Sequence, residues 1–228
     1  AGGQAEAVVA DLASQAEIRR MAHEVNERVS QLDVLVNNAG AFFNSFQRSP
    51  DGLEMTFAVN HLSYFLLTNL LLDRLKAAPA ARIVNVSSMA HMTHRLDFKD
   101  LQMEKSYTGW TAYGRSKLCN IYFTYELARR LKGTPISVNS LHPGFVATNF
   151  GRRENGVMGS VFGLLQLAAK SPQEGARTTI YLAASRAVEG ATGGYYIDQK
   201  LARSSDISYD EGIARKLWSA SEKLTAEV

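Results

Sequence analysis

Residues 82–88 read Arg82-Ile83-Val84-Asn85-Val86-Ser87-Ser88, and the reading of this stretch decides the fold. Its β-branched apolar residues fall on both faces of an extended segment, so the strand has to be covered on two sides. Working outward, short runs at 7–10, 33–36, 136–141 and 194–197 repeat the pattern. Between and after them, helical spacing of apolar residues runs over 17–29, 51–77, 112–131, 172–184 and 209–224. Ser49 is the candidate cap of the 51–77 helix, with Pro50 in its first turn. Doubly covered strands separated by helices imply an α/β architecture, a doubly wound parallel sheet in one domain, because right-handed crossovers lay helices on both faces.

Bulk composition narrows the function. A chain of 228 residues, 46% hydrophobic and 21% charged, suits one globular domain. The net charge of +3 is dispersed, and the pairs Arg19-Arg20, Arg129-Arg130 and Arg152-Arg153 read as solvated faces, so nucleic acid is not an expected partner. The single cysteine, Cys119, excludes an intrachain disulfide and reads as a packed thiol. The five histidines lack ligand spacing, so no metal site is expected. The apolar stretch 65–72 is too short to span a bilayer and belongs to a helix carrying Asn60, His61, Asp73 and Arg74. No secretory signal is visible, and a cytoplasmic setting is the expectation.

In such sheets ligands bind at the carboxyl ends of the strands. That rule selects Asp11 and Leu12, then Asn37-Asn38-Ala39-Gly40, then Ser87 and Ser88, then His142-Pro143-Gly144. Ala39 and Gly40 let backbone approach a flat ligand, while the asparagine amides can tie strands together. Asp11 offers a carboxylate to an exocyclic amine, or else caps the helix that starts near Ser14. After the Pro143-Gly144 turn, Val146 and Thr148 supply backbone groups and a hydroxyl suited to a carboxamide. Glycines 156, 159 and 163 follow no strand and lack the dinucleotide spacing, so they are not read as a phosphate loop.

Tyr113 and Lys117 lie four residues apart on the helix after Ser88 and share a face. An ammonium beside a phenol favours the phenolate, and the Ser88 hydroxyl can hold the oxygen that exchanges the proton. The spacing also arises on amphipathic helices without any chemistry. Tyr107, Tyr122 and Tyr125 have no lysine four residues on, so it selects one phenol of the cluster.

Asn-Asn-Ala-Gly, Val-Asn-Val-Ser-Ser, Tyr-Gly-Arg-Ser-Lys and His-Pro-Gly, in this order, resemble the short-chain dehydrogenase/reductase family, close to its retinol-dehydrogenase-like branch. The stretches Phe57-Ala58-Val59-Asn60-His61-Leu62 and Leu118-Cys119-Asn120 match the same branch. The resemblance implies a Rossmann-like sheet and a tetrad of Asn60, Ser88, Tyr113 and Lys117. Tyr113 is then general acid or base, and Ser88, preferred to Ser87, polarises the substrate oxygen. Lys117 lowers the tyrosine pKa and binds the nicotinamide ribose, while Asn60 holds a relay water. The implied cofactor is NADP or NAD, with NADP marginally preferred. It is held by Asp11, Leu12, Asn37, Asn38, Ala39, Gly40, Tyr113, Lys117, Pro143, Gly144, Val146 and Thr148. The implied substrate is a small or lipophilic carbonyl or alcohol, and helices 51–77 and 112–131 pair in a possible homodimer. Segment 89–110 either roofs the substrate pocket or packs on the surface, and the apolar stretch 151–169 serves as a lid.

The family's first two strands and glycine-rich turn have no counterpart in the sequence, which predicts an N-terminally incomplete domain. The 7–10 strand would then stand apart from 33–36, leaving unpaired backbone groups inside the sheet and a weak hold on dinucleotide. The alternatives are a catalytically silent dinucleotide-binding or interaction protein, and an epimerase or dehydratase relative. Residues 37–40 favour the dehydrogenases.

Overall fold

The strand read at 82–88 is the second of five in one sheet. The structure is a computed structural model and describes residues 3–144 and 171–226. Strands β1 (Val34–Asn37), β2 (Arg82–Val86), β3 (Ser137–His142) and β4 (Gly194–Ile197) run parallel in that spatial order. Strand β5 (Lys200–Ala202) lies antiparallel on β4 at the far edge. Alternation along β2 sends Ile83 to one face and Val84 and Val86 to the other. Ile83 packs with Leu35, Phe65, Leu75, Phe123 and Trp218. Val84 and Val86 pack with Leu141, Leu182 and Tyr196. Burial of each such side chain stabilises the fold by roughly 1.5–3 kcal/mol.

Seven α-helices occur among the described residues: α1 (Gln15–Arg28), α2 (Met55–Phe57), α3 (Ser63–Leu70), α4 (Leu72–Ala77), α5 (Gly109–Arg130), α6 (Pro172–Ala184) and α7 (Glu211–Leu224). Their starts follow capping chemistry. Ser14 accepts from the Glu17 amide, Thr108 from that of Thr111 and Asp210 from that of Ile213, and Ser171 and Glu174 form a reciprocal capping box that spans Pro172. No helix among the described residues is long and apolar enough to cross a membrane.

Three expectations are corrected. Residues 7–10 are not a strand. Val9 is 86% exposed and its carbonyl is bound by the Arg20 guanidinium, because an extended segment becomes a strand only when a neighbour takes up its backbone groups. As a result β1 forms the sheet's edge, with no gap in the interior.

The 51–77 stretch is not one helix: α2 passes through a π-helical turn (Ala58–Leu62) into α3, and Leu71, at φ −99° and ψ 1°, separates α3 from α4. Nor do Ser49 and Pro50 start it. The Glu54 carboxylate caps α2, accepting from Thr56 and Phe57 amides at 2.8 and 2.7 Å, whereas Ser49 closes the preceding turn by accepting from Asp51 and Leu53.

Within segment 89–110, Leu96 and Phe98 pack with Leu101 on the cluster around Leu53, Phe57, Leu118 and Tyr122, which is the surface-packing alternative. The 151–169 stretch and glycines 156, 159 and 163 lie outside the described residues.

Candidate active site

Helix α5 carries Tyr113 and Lys117 into a narrow place. A Cβ on Gly109 would meet the Phe43 carbonyl at 2.5 Å, and one on Gly114 would meet the His94 ring at 2.2 Å. Two loops thus press on the first turns of α5, one following β1 and one following β2. The Tyr107 hydroxyl donates to the Phe43 carbonyl at 2.8 Å, and Phe42 meets the Tyr113 ring edge-on at 6.0 Å.

The end of β2 supplies the partner hydroxyl. Ser87 Oγ turns toward the helix and donates to the Lys117 carbonyl at 2.7 Å. Ser88, one residue on, has its Oγ accept from the Ala90 amide at 3.2 Å. Burial pushes the Tyr113 phenol up to about 12, and the nearby Ser88 hydroxyl opposes that shift. The expected lowering by Lys117 is not what dominates here: desolvation wins, and Ser88 is the group that pulls the phenol down.

Lys117 is almost wholly buried, and burial pushes its ammonium down to about 8. The Nζ group is met by the Val86 carbonyl at 3.4 Å and by the faces of Tyr113 and Tyr64, whose centroids lie 5.5 and 5.9 Å away. A Cβ on Gly40 would lie 3.1 Å from Lys117 Nζ and 3.4 Å from Asn60 Oδ1, so the loop after β1 passes close against the lysine head.

Asn60 sits in the π-helical turn with no exposed surface. Its Nδ2 donates to the Ala41 carbonyl at 2.9 Å and to Ser116 Oγ at 3.0 Å, and its Oδ1 accepts from the Ala41 amide at 2.8 Å. Ser116 Oγ in turn donates to the Tyr113 carbonyl at 2.7 Å. Both amide protons of Asn60 are therefore spent on protein groups.

The structure thus brings Asn60, Ser88, Tyr113, Lys117 and Gly40 together. Asn37 serves as a tie, donating to Asn85 Oδ1 at 2.8 Å and Thr68 Oγ1 at 3.0 Å, while Asn38 and Ala39 are exposed beside Gly40. Pro143 and Gly144 are half-buried after β3, and Gly144 takes φ +86°, which favours glycine. Asp11 is engaged in its own turn, accepting from the Ala13 amide at 2.9 Å, while Ser14 caps α1. The capping role suggested for Asp11 thus belongs to Ser14, and Leu12 lies in the same turn. Val146 and Thr148 lie outside the described residues.

A nicotinamide dinucleotide fits this end of the sheet on one observation: the exposed, side-chain-free approach at Gly40, which a Cβ would fill, leads to Lys117 Nζ. Residues 38–40, Tyr113, Lys117, Pro143 and Gly144 are those placed to hold it. A cavity of about 640 Å³ lies at the opposite, amino end of the strands, bordered by Arg82, Ser137 and Gly193, and is remote from these groups. Among the described residues no cluster of histidine, cysteine or carboxylates could hold a metal.

Sequence reasoning did not assign Ser116 a role, nor Asn120. Asn120 Nδ2 donates to the carbonyls of Asn60 and Val86 at 3.0 and 3.3 Å, joining the π turn to β2. The i+3 relation of Ser116 to Tyr113 was the one local signal available.

Comparison with known proteins places the sequence and the fold in one family. The family model for short chain dehydrogenase matches residues 1–156. Retinol dehydrogenase 14 of Mus musculus is 48% identical over 215 residues, covering 93% of this chain and 64% of that protein, so the chain spans less than two thirds of that relative's length. Among solved structures, an uncharacterized protein from Mycobacterium paratuberculosis aligns with a TM-score of 0.74 at 35% identity, covering 95% of this chain and 74% of that one. Pseudomonas aeruginosa RhlG, solved as an NADP active-site complex, aligns with a TM-score of 0.62 at 28% identity, covering 82% and 72%. With more than half of its length matched by one family model and nearly half of its aligned residues shared with a named relative, the chain belongs to the short chain dehydrogenase family.

Proposed function

We propose that the chain interconverts an alcohol and a carbonyl on a small or lipophilic substrate as an NAD(P)-dependent oxidoreductase. The observation that carries this reading is the convergence of the Ser88 hydroxyl on the Tyr113 phenol beside a buried lysine with no carboxylate partner among the described residues. A bound nicotinamide dinucleotide supplies or accepts the hydride.

In reduction, Tyr113 gives its proton to the substrate oxygen while Ser88 hydrogen-bonds the same oxygen. The Lys117 charge stabilises the phenolate left behind. Asn60, with its donors committed to Ala41 and Ser116, acts by fixing the loop after β1 and the main chain of Tyr113.

Support for NADP comes from the RhlG complex with that nucleotide. Support for a lipophilic substrate comes from the retinol dehydrogenase relative and from Val157, Met158, Val161, Phe162, Leu164, Leu165 and Leu167 in the 151–169 stretch. The test is Tyr113→Phe with NADPH and a panel of aldehydes and ketones. Turnover is expected to fall by about 100-fold or more, with NADPH affinity retained by calorimetry. Unchanged turnover would remove the tyrosine from the mechanism.

A further inference from the structure

Three residues past Ser88, a histidine that takes no part in the proposed proton transfer is buried completely and uses both ring nitrogens. His91 Nδ1 lies 2.6 Å from the Ser88 carbonyl, and His91 Nε2 lies 3.1 Å from the Ser205 amide nitrogen. A carbonyl only accepts and an amide N–H only donates, so the two partners require the same tautomer: proton on Nδ1, lone pair on Nε2. The ring is neutral in that role, in keeping with burial lowering its pKa. Tyr195 of β4 closes against it edge-on, with centroids 5.1 Å apart.

We propose that His91 is a positioning residue that clamps Ser88 in register with Tyr113, a role that rests on the catalytic reading of those two residues. The Ser88 carbonyl accepts twice from His91, from its amide at 3.1 Å and from its ring at 2.6 Å. The Ser88 side chain is held by the Ala90 amide on the same short turn. Fixing the carbonyl and the turn leaves the Ser88 hydroxyl little freedom except toward the phenol. Ser205, which anchors the far side of the ring, follows β5. The clamp therefore carries the position of the sheet's antiparallel edge into the hydroxyl at the end of β2.

The test follows the Tyr113 Cζ resonance by NMR in protein carrying ¹³C-labelled tyrosine, assigned with Tyr113→Phe, together with steady-state kinetics using NADPH and an aldehyde. His91→Leu is expected to move the Tyr113 signal in the same direction as Ser88→Ala, and the double variant to move it no further. Turnover is expected to show the same non-additivity: His91→Leu lowers kcat by about 10- to 100-fold with little change in KM, yet costs nothing more once Ser88 is alanine. His91→Asn, whose carboxamide N–H stands where Nδ1–H stands, is expected to recover most of the signal position and of kcat, whereas His91→Gln, which places its amide at the Nε2 end, is not.

An added shift or added loss from His91→Leu in the Ser88→Ala background would overturn the clamp, as would equal behaviour of Asn and Gln, the pair that decides the matter should His91→Leu not fold. If Ser88→Ala itself leaves kcat unchanged, the catalytic reading of Ser88 fails, while the Tyr113 signal still reports on the clamp.

Discussion

Between Tyr113 and Arg115 there is room only for glycine. The His94 ring lies where a Cβ on Gly114 would be, and it is held there by the Ala90 carbonyl at 2.7 Å and by the Trp110 ring. Gly114→Ala has to displace it, with an expected loss of roughly 1–3 kcal/mol, read as a lower urea midpoint. An unchanged midpoint would mean that the ring swings aside freely. At this scale the sequence was readable for groups that the structure brings together near the strand ends: Ser88, Gly40, and the Tyr113–Lys117 pair chosen by spacing. Ser116, Asn120 and His91 were not assigned roles, because a polar residue on a helix or short turn acquires a role only from the group that tertiary packing sets opposite it.

Helix α2 depends on one buried carboxylate. Glu54 satisfies two amides that would otherwise lie unpaired at the start of the segment leading to Asn60. Glu54→Ala is expected to cost about 1–2 kcal/mol in urea unfolding, and a loss indistinguishable from zero would contradict its capping role.

Apolar residues recur at helical spacing through 57–72 with no glycine or proline among them, so neither the π turn nor the break at Leu71 left a local signal. Strand β2 was legible because a segment apolar on both faces has to be buried, whereas 7–10 has a similar local pattern and stays irregular for want of a neighbour. Strand β5 was missed because its hairpin turn, Asp198 and Gln199 at φ 48° and 63°, lacks the Asn-Gly signature of such turns.

Across the whole molecule, one buried imidazole couples the C-terminal helix to the site. His61 lies between Ser221 of α7, at 2.9 Å, and Asn120 of α5, at 3.4 Å. Burial pushes its pKa from 6.5 down to about 4, against the opposing Asn120 hydrogen bond. The unfolded chain therefore binds the proton first, and between about pH 6.5 and 4 stability falls as pH falls, by up to roughly 3 kcal/mol from this group. Urea unfolding at pH 7 and pH 5 is expected to show a smaller difference in His61→Gln than in the wild type. Equal differences would remove His61 from the acid response.

The central claim, that Tyr113 and Ser88 serve a hydride-transfer site, is tested most directly with NADPH deuterated at the transferable position of nicotinamide carbon 4 and a long-chain aldehyde. The account expects the wild type to yield alcohol with deuterium on the carbinol carbon, and Tyr113→Phe to form it about 100-fold more slowly or worse. Unlabelled alcohol or no alcohol from the wild type, or equal labelling rates in both proteins, would contradict it.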